Sequence, residues 1–143
     1  MTRTLLAIDA GTTGVTSILF DDQLEPLARS SREFEQLFPE PGQVEHSAEA
    51  ILGALDATLA EVLEGVQGAP AAVGITTQRE TVFALDLEAG RALGTGIVWQ
   101  DRRTAARCGE LKAAGHEDLV RARTGLVLDP YFSGTKIEWL LAR

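Results

Sequence analysis

The sequence predicts an α/β domain whose mixed sheet opens with a three-stranded antiparallel meander and is flanked by helices. Two apolar runs, residues 5–8 and 15–20, flank a short polar turn, as the arms of a hairpin do. A further stretch, residues 24–34, follows the Asp21-Asp22 turn and extends the hairpin to three strands. Behind it Ile51, Leu52, Leu55, Leu59, Val62 and Leu63 recur at helical spacing, and residues 71–76 return as a short apolar strand. A helix between two strands turns the meander into a mixed sheet.

The remaining elements follow in order. Pro39, Pro41 and Gly42 exclude regular structure from residues 37–46, and Ser47 is the expected N-cap of the first helix. Gly65 and Gly68 end that helix. Residues 81–87 and 97–99 read as strands, separated by an Ala89-Gly90 turn and a loose segment at 94–96. Asp101 is expected to cap a helix through Lys112, with Arg102 and Arg103 as solvated residues of its first turn. Arginines there oppose the helix dipole, which points to an outside anion or carboxylate partner. A short helix at 117–123 ends at Gly125, and Ser133 starts another. Lys136, Ile137, Trp139, Leu140 and Leu141 continue that helix with no glycine or proline stop, so the chain is expected to be truncated.

Composition sets outer limits. With 143 residues, 45% of them hydrophobic and 24% charged, the chain has globular composition and room for one domain. A net charge of −8 and the lack of a long arginine block argue against a broad nucleic-acid surface. No run approaches the roughly 18 apolar residues of a membrane span, and no signal sequence opens the chain. The expectation is a cytoplasmic protein without membrane insertion. Cys108 is a single cysteine, unable to form an internal disulfide, and with two distant histidines it offers no zinc spacing. It is expected to be a small buried helix residue.

Chemistry concentrates in four places. In the first turn, Asp9 precedes Gly11, Thr12, Thr13 and Gly14. Glycines permit left-handed angles and close approach to an anion, and successive N–H groups form a concave donor site. The threonine hydroxyls add donors, and Asp9 can hold a water on a magnesium ion that accompanies a nucleotide. The turn reads as a phosphate clamp, although it is neither G-x-x-x-x-G-K-[ST] nor G-x-G-x-x-G. The same residues also suit an ordinary polar hairpin turn.

The other three clusters fall between predicted elements. Arg79 and Glu80, directly after the 71–76 strand, offer a donor fork beside an acceptor, which suits a vicinal diol. They read equally as an exposed ion pair at a turn. Trp99 can wall the carbon skeleton of a small ligand, or sit in the core. Tyr131, on a loop stiffened by Pro130, offers a fixed hydroxyl while Phe132 anchors the following helix.

The segment D-A-G-T-T-G-V-T-S at 9–17 resembles the first phosphate loop of the actin, chaperone and sugar kinase superfamily, and within it the FGGY carbohydrate kinases. Four further segments resemble the glycerol-phosphorylating members of that family in order and spacing: R-E-F-E-Q-L-F-P-E-P-G-Q-V-E-H at 32–46, G-I-T-T-Q-R-E-T at 74–81, I-V-W-Q-D-R-R-T at 97–104 and T-G-L-V-L-D-P-Y-F-S-G-T-K at 124–136. The resemblance implies a ribonuclease H-like (actin/sugar kinase ATPase) domain. Residues 1–143 would be the incomplete N-terminal part of the first of two domains, about the first quarter to third of such an enzyme.

The implied activity is ATP-dependent phosphorylation of glycerol to sn-glycerol 3-phosphate with Mg2+, in a full-length enzyme. By resemblance Gly11, Thr12, Thr13 and Gly14 touch the nucleotide phosphates, Thr16 occupies the position of a nucleotide contact, and Asp9 lies near the metal. Arg79, Glu80 and Tyr131 bind the glycerol hydroxyls, and Trp99 walls the carbon chain. The general base lies beyond Arg143, so no catalytic residue is expected in this chain, which should be inactive alone. Two positions depart from the family: Ala10 stands where glutamine is common, and Thr16 where arginine is common. Thr16 cannot supply a cation, which implies weaker phosphate affinity or another basic group. The alternatives are an FGGY kinase for another polyol or ketose, and a non-catalytic actin-like nucleotide-binding module. The oligomeric state is left open, a homo-oligomer included.

Overall fold

The computed structural model describes residues 3–143. In chain order the elements are β1 (Leu5–Ala10), β2 (Gly14–Phe20), β3 (Pro26–Glu33), β4 (Glu45–His46), α1 (Ala48–Val62), β5 (Ala72–Thr77), β6 (Leu85–Asp86), β7 (Arg91–Ala92), β8 (Gly96–Ile97), α2 (Ala105–Ala113), α3 (Glu117–Thr124) and α4 (Ser133–Leu141). They fall into two compact units, one built from residues 3–35 and 47–78, the other from 36–46 and 79–143. No helix among the described residues is long and apolar enough to cross a membrane.

The first unit is the expected mixed sheet, ordered β3-β2-β1-β5. β1 runs antiparallel to β2, from Leu5 opposite Phe20 to Ala10 opposite Val15, and parallel to β5, from Leu5 beside Ala72 to Ala10 beside Thr77. Alternation turns Leu6 and Ile8 of β1, and Val15, Ser17 and Leu19 of β2, into a buried layer. α1 closes over them. Its start is capped by the Ser47 hydroxyl, which accepts from the Ala50 N–H at 3.1 Å.

The centre of the α1 face is Ala54, Thr58 and Val62, spaced four residues apart, with Ile51, Leu55, Leu59 and Leu63 packed around it. Leu52, expected on the apolar stripe, is 57% exposed. Small residues at the centre of the stripe let the helix settle on the sheet, and Leu52 projects to one side. Thr58 and Ser17 form a buried polar clasp at 2.8 Å. Because the Thr58 hydroxyl donates to the Leu55 carbonyl at 2.9 Å, Ser17 is the donor across the sheet–helix boundary.

The short apolar strand expected at 71–76 is β5, and all six of its residues are exposed, including Val73 at 52% and Ile75 at 68%. α1 packs on β2 and β3 and leaves this edge strand uncovered, although Val73 and Ile75 pair with the buried Leu6 and Ile8.

In the second unit, the strands expected at 81–87 and 97–99 contract. β6 and β7 form a two-residue hairpin around Gly90, whose φ is 64°. Val82 bridges Ile97, and β8 pairs with β4, which lies inside the segment expected to be irregular. Asp101 is buried and does not cap α2, which begins four residues later. Its carboxylate accepts from the Val44 N–H at 2.7 Å and from the Arg103 backbone and side chain at 2.8–2.9 Å. Burial alone would raise this carboxyl, but those hydrogen bonds and the guanidinium charge hold it below the ordinary carboxylate range.

Arg103 is therefore no solvated residue of a helical turn. Its side chain is 5% exposed, pairs with Asp101 and with Glu45 at 2.6 Å, and lies 4.6 Å from the Trp139 ring centroid. Arg102 pairs with Asp129 at 3.2 Å. The carboxylate partners that these arginines called for are thus internal. Cys108 is buried on α2 as expected, 3.7 Å from the Thr135 hydroxyl.

The clasp in the first unit makes a prediction. Thr58→Val strands the Ser17 hydroxyl in the core and costs about 1–3 kcal/mol, whereas Ser17→Ala leaves Thr58 bonded to Leu55 and costs less. The double variant should fall short of the sum in urea unfolding; strict additivity would contradict the clasp.

Candidate functional site

The polar turn of the first unit joins β1 to β2. β1 runs through Asp9 to Ala10, so Asp9 is an exposed residue inside the strand, where it pairs with Thr16 on one side and Thr76 on the other. Alternation sends Asp9, Thr16 and Thr76 to the sheet face opposite α1, where they line an open hollow of about 500 Å3. Thr16 is engaged there by Ser31, with the two hydroxyl oxygens 2.8 Å apart. The basic residue lining the hollow is Arg29.

The two glycines of the turn do not take the left-handed angles that glycine permits. Neither Gly11 nor Gly14 has a positive φ. The Gly11 N–H donates to the Gly14 carbonyl at 2.9 Å, so one donor of the concave set is spent within the turn. The Thr13 carbonyl accepts from the Phe34 N–H at 3.3 Å, which ties the turn to the end of β3. Gly14 lies so close to β3 that an added Cβ would meet the Arg32 carbonyl at 2.5 Å. Its lack of a side chain is required by strand packing whether or not an anion binds.

The second unit brings Glu80, Trp99 and Tyr131 together. Glu80 follows the end of β5 by three residues and is held at φ 63°, a left-handed conformation that costs a non-glycine residue about 1–3 kcal/mol. Three bonds hold it there. Its Oε2 accepts from the Ser133 N–H at 2.8 Å and the Ser133 hydroxyl at 2.7 Å, both at the start of α4. Its carbonyl accepts from the Lys136 ammonium at 2.7 Å. The same ammonium donates to the Tyr131 carbonyl at 2.6 Å.

Tyr131 sits on a loop fixed by Asp129, whose carboxylate accepts from the Tyr131 N–H at 2.8 Å. The residue is 38% exposed, and its ring stands edge-on to Trp99, with centroids 5.8 Å apart, and to Phe132 at 5.0 Å. Trp99 is half-buried, and its backbone N–H donates to the Thr81 hydroxyl at 3.3 Å. The arrangement combines a fixed carboxylate, a phenol and an aromatic wall, the groups needed to hold a small polyhydroxylated molecule. Arg79 is exposed and makes no ion pair with Glu80, so the reading of these two as a surface pair does not hold.

Lys136 and Ser133 escaped the sequence reading as functional residues. In sequence Lys136 resembles any lysine on an amphipathic helix. The available signal was its place three residues after Ser133 and five after Tyr131, one turn inside the start of the helix.

The four-stranded sheet with one parallel edge, the helix between β3 and β5, and the threonine turn define a ribonuclease H-like ATPase fold of the actin and sugar kinase type. The chain matches the FGGY family of carbohydrate kinases, N-terminal domain, over residues 4–143, and it belongs to that family. It is 52% identical to a glycerol kinase of Gluconobacter oxydans over 96% of this chain and 27% of that protein. To a glycerol kinase of Geobacillus kaustophilus it is 47% identical, over 99% of this chain and 29% of that protein. The structure of Plasmodium falciparum glycerol kinase with ADP matches with a TM-score of 0.91 at 30% identity, over 99% of this chain and 29% of that one. A ligand-bound xylulose kinase from Lactobacillus acidophilus, 22% identical, shares the fold with a TM-score of 0.89 over 96% of this chain and 28% of that one. The chain thus spans less than a third of the length of the relatives it matches.

The packing of Gly14 predicts that Gly14→Ala destabilises the nucleotide-free protein by about 1–3 kcal/mol. Gly11→Ala, whose Cβ would make an ordinary 3.4 Å contact, should stay within about 0.5 kcal/mol. Thermal unfolding without nucleotide compares them; equal midpoints would contradict the steric role of Gly14.

Proposed function

We propose that this chain forms part of an ATP-dependent kinase that transfers the γ-phosphoryl group to the terminal hydroxyl of glycerol, giving sn-glycerol 3-phosphate. The observation that carries the reading is the pinned Glu80 carboxylate beside Tyr131 and Trp99, in a chain about half identical to glycerol kinases. Residues 1–143 correspond to the N-terminal part of the first domain of the longer relatives, and the general base lies outside them. Dependence on ATP is consistent with a cytoplasmic enzyme.

Phosphoryl transfer depends on positioning and charge stabilisation more than on covalent participation of the protein. Glu80 Oε2 is committed to Ser133, while Oε1 forms no hydrogen bond among the described residues and is the acceptor offered to a glycerol hydroxyl. The exposed Arg79 guanidinium donates to the same diol, the Tyr131 hydroxyl completes the set, and Trp99 covers the carbon chain. A site of this kind rejects molecules that lack a hydroxyl, because its polar groups would be left unpaired.

Thr12, Thr13 and Gly14, with Gly11 shaping the turn, face the phosphates of ATP, and the relative of known structure with ADP supports a nucleotide at this fold. Asp9 suits Mg2+. It is an exposed carboxylate next to the turn, and among the described residues no group of three or more metal-ligating side chains converges. Magnesium is commonly held this way, by one or two carboxylates with substrate phosphates and water, and it would neutralise phosphate charge. Thr16 brings a hydroxyl already shared with Ser31 and no positive charge.

The test is a coupled ATP assay on a full-length chain carrying these residues, with glycerol, other polyols and ketoses as acceptors. Glycerol should be preferred. Arg79→Ala should raise the KM for glycerol at least about tenfold and leave the KM for ATP within about twofold. Preference for a ketose, or unchanged glycerol kinetics in the variant, would refute the assignment.

A further inference from the structure

Lys136 lies on the second turn of α4 with no exposed surface, and no carboxylate of the described residues lies in ion-pair range of it. A buried ammonium without a counter-ion is costly unless its protons are accepted elsewhere. Here the acceptors are two backbone carbonyls, those of Glu80 and Tyr131, at 2.7 and 2.6 Å. Burial draws the pKa of Lys136 below the usual lysine value, against the attraction of Glu80, Asp101 and Asp129. One turn earlier on the same helix, Ser133 takes Glu80 Oε2 through both its N–H and its hydroxyl.

We infer that Lys136 and Ser133 are positioning residues: the start of α4 locks Glu80 and Tyr131 to each other, so that the acceptor alcohol meets a preformed pair rather than two independent loops. The inference rests on the glycerol reading of that pair. A backbone carbonyl cannot be recruited by a charged side chain on another element unless the segment carrying it is held against that element. Glu80 and Tyr131 are 51 positions apart in the chain, so a single ammonium between their carbonyls fixes a separation that local sequence does not. Ser133 adds orientation. With Oε2 committed, the carboxylate cannot rotate freely, and Oε1 is presented in one direction. A site preorganised in this way binds its ligand without an ordering cost.

The role is tested in a full-length chain carrying Ser133→Ala or Lys136→Met. Ser133→Ala keeps the backbone N–H and the buried charge, and should fold even where Lys136→Met does not. The first readout is amide hydrogen exchange without any ligand, in peptides that span Glu80 and Tyr131. Exchange should accelerate at Glu80 in Ser133→Ala, and at both segments in Lys136→Met, while peptides from β1 and β2 stay as in the parent. The second is kinetic: Ser133→Ala should raise the KM for glycerol about tenfold, with the KM for ATP within about twofold and a nearly unchanged thermal midpoint. Unchanged exchange at Glu80 in Ser133→Ala overturns the clamp, whatever the substrate proves to be. So does a uniform loss of activity that tracks loss of folded protein. A parent enzyme that ignores glycerol, with exchange altered as expected, would instead refute the glycerol reading and leave the clamp standing as a support for a different acceptor.

Discussion

A single ammonium group, that of Lys136, sits out of water between two peptide carbonyls, and the geometry of the polyol candidates depends on it. Leaving such a charge unpaired in the interior would be far costlier than any surface ion pair is favourable, so the contacts around it form together or not at all. Glu80 is bound at its carbonyl, bound again at its carboxylate, and held in a backbone conformation that a glutamate would not adopt unaided. Strain of that kind persists where the surroundings over-determine it, and it is concentrated at sites that bind or react. The Tyr131 ring beside it is placed by the same loop that offers its carbonyl to the lysine, and Trp99 stands edge-on to that ring.

The threonine turn in the other unit obeys a different constraint. There the backbone of β3 comes so near that Gly14 has no room for a side chain, and the Gly11 amide closes the turn on itself. The glycines shape the bend. A short glycine and threonine motif can be dictated by strand packing as well as by anion recognition, and sequence alone does not separate the two.

Much of the fold was legible. Local pattern gave the hairpin and α1, and the third strand followed as the continuation of the meander after the Asp21-Asp22 turn. Gly125 marks the end of α3 by its left-handed φ of 73°, as a glycine stop should. What escaped was non-local. β4 and β8 are two residues each and exist only through pairing across fifty positions. Asp101 has the composition of a helix cap, yet its carboxylate is taken by Arg103 and Val44, a choice made by tertiary burial. Arg103 looked solvated because charged residues usually are. Of the candidate site, Glu80, Trp99 and Tyr131 were nameable from their motifs, whereas Lys136 and Ser133 were hidden, since their work is done on backbone and carboxylate atoms of residues far away in the chain.

The most direct measurement is a crystal structure of a full-length chain carrying these residues, grown with glycerol. The account predicts a glycerol hydroxyl within hydrogen-bond distance of Glu80 Oε1, with Tyr131 and Trp99 lining the molecule, Oε2 still on Ser133 and Lys136 still joining the two carbonyls. Glycerol bound elsewhere, or a Glu80 carboxylate that leaves Ser133 to reach it, would contradict the claim that the site is built before its ligand arrives.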